Sequence, residues 1–430
     1  MSMDPRRRFR ERAQGVGPAP LGDIVSRGTR LRRRRLTAAA STVALVLVAA
    51  SVVGYQALQP APKVKLHVVG PPSTAPVTPS PALSPTAMAS PQAGLPVVGV
   101  TGLAIEDQSW VSDAEGWLLG TATCTGSPCT VILHTGDGGQ TWDRASAPDG
   151  GSVAHVRFAS LQIGYAYGSS DGATSPLYMT TDGATTWEQQ SGAGNVEDLD
   201  VSQGTVVAIT YHHSGCPLTC DPMLESAAAG SAAWRTLPAP AISQGFGESV
   251  LVQGSDIYFL SYGHPAGGTS NAQTRIDRSM DGGAHWVSGG DPCSAPPRGA
   301  DTGQVEWDAG SPATGPGGFV ALICTQRGAQ NAFLLQSTDA GSTWTRLGQT
   351  PNAGRLTVGS ARNFAAFTTT GVVVSHDGGT TWRTTLQGNR LSAASLSFED
   401  ATTLRASFGG ATIYTSVDAG ETWTASQPAG

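Results

Sequence analysis

The sequence predicts an all-β fold for most of the 430 residues, and three observations predict it. An eight-residue pattern that ends in tryptophan recurs along residues 97–430. Successive copies end 38 to 58 residues apart, which is the length of one four-stranded blade of a β-propeller. The segments between the copies alternate apolar and polar residues, as strands do, and no amphipathic helical run interrupts them. We therefore expect a β-propeller over residues 97–430.

The repeated pattern is Ser/Thr-x-Asp-x-Gly-x-Thr-Trp, and its residue types suit a tight hairpin turn. Its Asp accepts hydrogen bonds from turn amides, its Gly supplies a positive φ, and its Trp opens the next strand with a ring to bury. Two copies are near matches, with Ala184 in place of Gly and His285 in place of Thr, and a seventh has decayed at Ser226 to Trp234. The predicted structural residues of the six retained copies are Asp137, Trp142, Asp182, Trp187, Asp281, Trp286, Asp339, Trp344, Asp377, Trp382, Asp418 and Trp423.

These copies, called boxes below, resemble the Asp-box or bacterial neuraminidase repeat of sialidases, sortilins, some xyloglucanases and the photosystem II assembly-factor family. The stretch GWLLG at Gly116 to Gly120, followed by ILHTGDGGQTW, is most similar to the assembly-factor type of repeat. The resemblance implies seven blades, and a six-bladed ring with one irregular hairpin is the alternative. It implies a fold and not a reaction, because in sialidases the boxes lie on the rim, away from the catalytic pocket.

The first 58 residues predict a membrane anchor. Residues 36–58 carry no charge and are long enough to cross a hydrocarbon core of about 30 Å as a transmembrane helix. Residues 1–35 hold eleven Arg and only three acidic residues, so the positive-inside rule predicts a cytoplasmic tail. The alternative is a signal peptide cleaved near Val48-Ala49-Ala50. The stretch LGDIVSRGTRLRRRR, at Leu21 to Arg35, resembles the juxtamembrane start of many actinobacterial membrane proteins.

Residues 59–96 contain ten Pro among Ser, Thr and Ala, and this composition predicts a disordered, semi-extended stalk. The predicted plan is therefore a tail at 1–35, a signal anchor at 36–58, a linker at 59–96 and an extracytoplasmic propeller at 97–430.

All six cysteines follow the linker, and their even number agrees with an oxidising location. We expect disulfides between Cys124 and Cys129, between Cys216 and Cys220, and between Cys293 and Cys324, although six cysteines allow fifteen connectivities. His212 and His213 precede Cys216 closely enough to suggest a zinc site with the two thiolates, and a disulfide with exposed histidines is the alternative that we favour.

No residue pattern identifies a catalytic site, a cofactor site or a metal site, and nothing indicates nucleic-acid binding. The first blade lacks the Arg-Ile-Pro-like motif of a sialidase. A glycosidase of another kind needs two suitably spaced carboxylates, and the acidic residues outside the boxes include Glu106, Asp107, Asp198, Asp200, Glu306, Asp308, Glu399 and Asp400. The sequence does not place any two of them together.

Three functional hypotheses follow. The first is a membrane-tethered, non-catalytic propeller that binds an unknown protein partner or acts as an assembly scaffold. The second is a cell-surface glycan-binding or glycoside-hydrolase-like protein. The third is an envelope sensor that signals to the N-terminal tail. Loops on a rigid scaffold commonly carry recognition, and the longest insertions here are at Gly263 to Arg275 and at Asp291 to Gly318.

Overall fold

A computed structural model describes most of the chain beyond residue 98. The described residues are 92–93, 99–149, 153–168, 176–211, 222–238, 242–265, 273–289, 292–293, 307–309, 312–315, 319–326, 332–339, 341–351, 353, 355–388 and 395–428. They belong to one compact unit, Ser80–Gly430. In this part of the chain, no helix has the length and the hydropathy that a membrane crossing requires. The predicted tail, signal anchor and nearly all of the predicted linker lie outside the described residues.

The described elements are all β-strands, and they form seven separate sheets in which every pair except β1–β30 is antiparallel. In chain order the strands are β1 (Gln92–Ala93); in blade 1, β2 (Val100–Trp110), β3 (Gly116–Cys124), β4 (Ser127–Thr135) and β5 (Asp143–Ala145); in blade 2, β6 (His155–Phe158), β7 (Gly164–Tyr167), β8 (Tyr178–Thr180) and β9 (Glu188–Gln189); in blade 3, β10 (Asn195–Ser202), β11 (Thr205–Tyr211), β12 (Met223–Ala228) and β13 (Arg235–Thr236); in blade 4, β14 (Ile242–Gln253), β15 (Asp256–Pro265), β16 (Gln273–Ser279) and β17 (Val287–Ser288); in blade 5, β18 (Trp307–Ala309), β19 (Ala313–Gly315), β20 (Phe319–Gln326), β21 (Ala332–Ser337) and β22 (Thr345–Thr350); in blade 6, β23 (Arg355–Val358), β24 (Phe364–Thr368), β25 (Gly371–Ser375) and β26 (Arg383–Gln387); and in blade 7, β27 (Ser395–Phe398), β28 (Leu404–Ser407), β29 (Ile413–Ser416) and β30 (Thr424–Gln427).

The seven sheets are the blades of a closed ring. Within a blade the strands pair in chain order, and in blade 5 both β18 and β19 pair with β20. The innermost strands contact one another in the order β2, β6, β10, β14, β19, β23 and β27, and β27 contacts β2 again. The predicted seven-bladed propeller is therefore confirmed, and the six-bladed alternative is wrong.

The apolar core lies between neighbouring blades. On β11, Val206 and Ala208 pack toward blade 2, whereas Val207 and Ile209 pack toward blade 4. β11 is the second strand of its blade and is buried on both faces. Such a strand needs a continuous apolar run, as in TVVAITY, because neither of its faces meets water. An alternating burial pattern appears instead in inner strands such as β6 and β23.

The boxes join the third strand of a blade to its fourth. In blade 1 the Thr135 hydroxyl donates to Asp137 Oδ1 at 2.8 Å and accepts from the Gly139 N–H at 2.9 Å. The Asp137 carboxylate also accepts from the N–H of Thr141 at 2.8 Å and from its hydroxyl at 2.6 Å. Five other turns repeat this arrangement around Asp182, Asp281, Asp339, Asp377 and Asp418.

The three irregular copies keep different parts of this turn. His285 takes the place of Thr, and its Nδ1 lies 2.6 Å from Asp281 Oδ2. Ala184 takes the place of Gly and adopts a φ of 68°, a left-handed conformation that costs free energy in a residue with a Cβ. The decayed copy has no Asp, and a bond from the Ser231 N–H to the Ala228 carbonyl closes its turn, while Trp234 still packs between blades 2 and 3.

Polar contacts join the last blade to the first. The Arg405 side chain is 2% exposed, and its guanidinium donates to the Asp113 carbonyl at 2.7 Å. The same group lies 3.4 Å from the centre of a Trp110 ring. Below it, the Gln108 amide donates to the Ser395 hydroxyl at 2.9 Å. Strand β1 adds two parallel residues to the outer edge of β30, so blade 7 includes part of the predicted linker.

Candidate functional site

The two faces of the ring differ in their connections. In each of six blades, an N–H of the turn between the third and fourth strands donates to a carbonyl of the turn between the first and second strands, as in the bond from Gly138 to Ala114 at 2.8 Å. Both kinds of turn therefore lie on one face, which we call the box face. The connections between second and third strands and those between blades leave from the other face, which we call the insertion face.

The segments that the sequence singled out leave from strand ends on the insertion face. Residues 212–221 join β11 to β12, residues 266–272 join β15 to β16, and residues 290–306 lead from blade 4 to blade 5. His212, His213, Cys216, Cys220 and Glu306 lie outside the described residues, so their predicted zinc site or disulfide stays a prediction. The predicted disulfides Cys124–Cys129 and Cys293–Cys324 are confirmed.

Blades 1 and 4 extend farther toward the insertion face than blade 2 does. Strands β2 and β14 have 11 and 12 residues, whereas β6 has four. Because the Val156 N–H bonds to Asp107, the first seven residues of β2 extend beyond the level at which β6 begins. At about 3.4 Å per residue, this difference amounts to roughly 20 Å of strand. On the insertion face, blades 2 and 3 thus lie between two longer hairpins, β2–β3 of blade 1 and β14–β15 of blade 4.

Acidic and hydroxyl side chains fasten the inner strands of blades 1 and 3 to the next blade. Asp107 and Ser109 on β2 accept from the backbone N–H groups of Val156 and Phe158 at 3.1 and 2.8 Å.

Three residues of β10 do the same for β14. Asp198, Asp200 and Ser202 accept from the N–H groups of Val250, Val252 and Gly254 at 2.9, 2.7 and 3.1 Å. The inner edge of a blade has no further strand to satisfy these N–H groups, so the side chains supply the missing acceptors. Three of the acidic residues considered for hydrolysis, Asp107, Asp198 and Asp200, thereby hold the ring together.

A charged cluster forms where these strands begin at the insertion face. The buried Asp107 carboxylate lies 2.7 Å from Arg157 Nη1 and 3.4 Å from His155 Nδ1. Burial raises the pKa of Asp107, but the neighbouring charges of Arg157 and His155 outweigh it and hold the pKa below its ordinary value. The imidazole of His155 lies against the Tyr167 ring, and 46% of its side chain is exposed. The cluster therefore reaches solvent.

Blade 6 contributes Arg355 to the same place. Arg355 is the first residue of β23, yet the charges that act on its guanidinium belong to Asp107 in blade 1 and Asp198 in blade 3. Arg355 therefore shares the electrostatic environment of these carboxylates. Burial and the like charge of Arg157 lower the pKa of Arg355. Among the residues that the structure describes, none accepts a hydrogen bond from this guanidinium.

Five carboxylates surround these cations. Glu106 is half-buried and Glu197 is exposed, and burial raises the pKa of each of them. Burial also raises the pKa of Asp198, and it raises the pKa of Asp200 to about 6. The mouth cluster comprises Glu106, Asp107, His155, Arg157, Glu197, Asp198, Asp200 and Arg355, so it contains five acidic residues against two arginines and one histidine.

The other acidic residues from the sequence lie elsewhere. Glu399 and Asp400 belong to the turn between β27 and β28 on the box face, where burial raises the pKa of Glu399 to about 7. Asp308 lies on β18 in blade 5. The described residues contain no group of three or more side chains suited to hold a metal ion. The structure therefore brings together four of the eight acidic residues that the sequence offered.

No local pattern in the sequence singles out the basic members of the mouth cluster, His155, Arg157 and Arg355, or Tyr167, whose ring lies against His155. A signal was present in β10, where Asp198, Asp200 and Ser202 alternate with apolar residues on a strand that an apolar core should cover. Polar residues at every second position of an inner strand indicate acceptors for a neighbouring blade. The partners of these acceptors are 52 residues away, and no local pattern identifies them.

The box carboxylates and the carboxylate of Asp200 affect stability in opposite directions as pH changes. Hydrogen bonds from Thr186 lower the pKa of Asp182 from 3.8 to about 2, so its stabilisation is present above pH 3.8 and is lost as the pH falls toward 2. Burial raises the pKa of Asp200 to about 6, so the folded state gains stability as the pH falls through 6.

We therefore expect Asp200→Asn to weaken the pH dependence of stability in the wild-type protein. Between about pH 7 and pH 5 the rise in the free energy of unfolding should shrink by on the order of 1 kcal/mol, because an amide still accepts the Val252 N–H bond but does not titrate. Denaturant unfolding at several pH values measures this. An unchanged slope in the variant would contradict the raised pKa, and the steep loss of stability below about pH 4 should remain in both proteins.

Comparisons with known proteins support the fold. No protein-family model and no curated protein matches the sequence. A structure of YCF48 bound to a D1 peptide is 16% identical, and the match covers 78% of this chain and 99% of that chain at a TM-score of 0.51. YCF48 from Cyanidioschyzon merolae is also 16% identical over 74% of this chain and 96% of that chain, at a TM-score of 0.48.

An ancestral GH74 enzyme is 11% identical at a TM-score of 0.52. That match covers 77% of this chain but 47% of the enzyme, so this chain spans about half of its length. At these identities the likenesses show a shared propeller fold and leave the activity open.

Proposed function

We propose that this protein is a non-catalytic propeller that binds a segment of a protein partner at the mouth cluster on its insertion face. One observation carries the proposal. Asp107, Asp198 and Asp200 each use a carboxylate oxygen to hold the next blade, so these acids are structural and not poised for hydrolysis. Around them, His155 and Glu197 still reach solvent. A rigid, charged and solvent-facing ring suits recognition.

The fold supports this proposal. YCF48 has been described bound to a D1 peptide, and its match to this chain covers 99% of the YCF48 chain at a TM-score of 0.51. We propose by extension that the repeated turns are Asp-boxes and that residues 36–58 anchor the propeller outside the cytoplasmic membrane. The Arg-rich tail and uncharged segment of the sequence support this anchoring.

A capture experiment with the full-length chain in mild detergent tests the proposal. The chain would be presented to envelope proteins and, in parallel, to a glycan array. We expect a specific protein to be captured, and we expect Glu197→Lys to reduce that capture at least tenfold, because it reverses an exposed charge at the mouth. The matched control is Glu188→Lys, which reverses an exposed charge on the outer strand β9.

A second function, glycan processing, is favoured by Glu106 and Glu197. Both have raised pKa values, and neither bonds to a neighbouring blade in the described part of the chain. Cleavage of an arrayed sugar by the wild type, and its loss in Glu106→Gln or Glu197→Gln, would replace the scaffold proposal with a hydrolase. Specific capture of a protein with a silent array would reject this second function.

A further inference from the structure

One face of the sheet formed by β2, β3 and β4 in blade 1 stays uncovered beyond the mouth cluster. We propose that this face binds an uncharged, extended segment of the protein partner, which lies along the insertion face beside blade 2. The inference rests on the proposed function, because it names the conformation and the chemistry of the segment that reaches the mouth cluster.

The uncovered face continues the surface of blade 1 that packs on blade 2. Trp117 of β3 belongs to the core between these two blades. Because alternate residues of a strand share a face, Thr121 and Thr123 continue this surface toward the insertion face. Each of these two threonines lies opposite another threonine on a neighbouring strand. The resulting surface, which we call the threonine face, comprises Thr101, Thr121, Thr123 and Thr130.

Blade 2 ends below the threonine face. The Val156 N–H at the start of blade 2 bonds to Asp107, whereas Thr121 lies opposite Ala104, three residues nearer the beginning of β2. Three of the four threonines are exposed, and Thr130 is half-buried. The layer that covers the lower part of this surface is itself a β-sheet, so an extended segment on the threonine face continues the packing of blade 1 on blade 2.

The threonine face is rigid although nothing is packed on it. On its other side, the same sheet buries Leu103 and Val131 in one core with Ile413 of blade 7. The disulfide between Cys124 and Cys129 joins β3 to β4 beside the turn that connects them. A surface that is fixed before binding loses little conformational entropy when a partner packs on it. The threonine face is therefore preorganised for binding.

The chemistry of the threonine face selects an uncharged segment. Residues 97–430 hold 29 Asp and Glu against 13 Arg and no Lys, yet the threonine face has no charged residue. β-Branched side chains pack well on one another across a pleated surface. A charged side chain placed there would lose water without gaining a partner of opposite charge. The face therefore suits a segment rich in Val, Ile and Thr.

A library of displayed random peptides tests the inference on the full-length chain in mild detergent. Peptides of about twelve residues span roughly 40 Å when extended. Those selected on the wild type should bind the double variant Thr121→Lys, Thr123→Lys about tenfold more weakly, because the added ammonium groups meet no acidic partner. The matched control is Thr369→Lys, which adds the same charge to an exposed turn of blade 6 on the insertion face and should leave the affinity unchanged.

Further variants separate the shape of the face, its rigidity and the conformation of the peptide. Thr121→Val with Thr123→Val keeps the β-branched shape and should keep the affinity. Cys124→Ser with Cys129→Ser should weaken binding severalfold, because the sheet loses part of its preorganisation. An alanine scan of the tightest peptide should show losses at every second residue, since alternate side chains of an extended segment face the sheet. Thermal unfolding of each variant confirms that it is folded.

Equal affinity for the wild type and the double lysine variant would overturn the inference, as would losses at every third or fourth peptide residue or a library without binders. The proposed function would still stand if a protein partner is captured in a Glu197-dependent manner. A wild-type dimer that the lysine substitutions dissociate in analytical ultracentrifugation would assign the face to a second copy of the chain and overturn the inference too. Peptide binding that depends on the threonine face, without any Glu197-dependent capture, would reject the proposed function and retain the peptide site.

Discussion

Arg405→Met should lower the free energy of unfolding by about 3 kcal/mol, because it removes a buried cation that fastens blade 7 to blade 1. The variant loses the bond to the Asp113 carbonyl at 2.7 Å, the bond to the Thr415 hydroxyl at 3.1 Å and the stacking on Trp110. The volume of the side chain is largely kept. Denaturant unfolding of the full-length protein measures the loss, and limited proteolysis should show earlier cleavage next to blade 1.

The matched control for this substitution is Arg346→Met. Arg346 also lies over an aromatic ring, that of Phe333, at 4.1 Å, but its side chain is exposed and it stays within its own blade. We expect it to cost less than about 1 kcal/mol. Equal losses in the two variants would show that the contact between blades 7 and 1 does not depend on Arg405.

Trp117→Ala should be the most destabilising single truncation, at about 4 kcal/mol. Trp117 is 1% exposed, and its ring stacks on Phe158 of the next blade at a centroid distance of 3.7 Å and an angle of 4°. Its indole N–H has no hydrogen-bond partner among the residues that the structure describes, so the loss arises from packing and from the cavity that remains. Denaturant unfolding checks the value.

Trp117→Phe tests whether the stabilisation comes from the size of the indole or from the presence of any aromatic ring. This variant keeps a ring for Phe158 and leaves a smaller cavity, so it should lose about 1 to 2 kcal/mol. If Trp117→Phe is as unstable as Trp117→Ala, the position requires the complete indole ring. No measurable loss in either variant would contradict the role of this stack between blades 1 and 2.

The number of blades could be predicted because the boxes are local. In each box, the Asp side chain and the leading Ser or Thr hydroxyl bond within the same eight positions, as in Thr135 to Trp142, so the sequence of the turn determines its local structure. The decayed copy at Ser226 to Trp234 still marked blade 3, since its Trp234 serves packing and not the turn.

A second repeated turn escaped the sequence analysis. Between the first and second strands, Ser112, Ser160, Ser360 and Asp400 each accept from the N–H groups two and three residues later. A single Ser or Asp is too common to stand out, and alignment of the copies at their blade spacing is needed to reveal it.

The mouth cluster could not be predicted for a different physical reason. Asp107 contacts Arg157, 50 residues away, and Asp198 accepts a bond from the N–H of Val250, 52 residues away. Such contacts between blades depend on how the blades are arranged around the axis of the ring. The hydrophobic periodicity of the sequence shows only which residues share a strand.

The four main strands of each blade come from one continuous segment of chain, and in the described part of the chain only the two residues of β1 pair with a blade at the other end of the sequence. Apart from this short strand, the ring behaves as seven exchangeable modules. Duplication or loss of one module along the chain would leave every remaining sheet whole. Such an event would have to rebuild the side-chain contacts between the two blades that become neighbours. The number of blades therefore depends on these contacts between blades and not on the blades themselves.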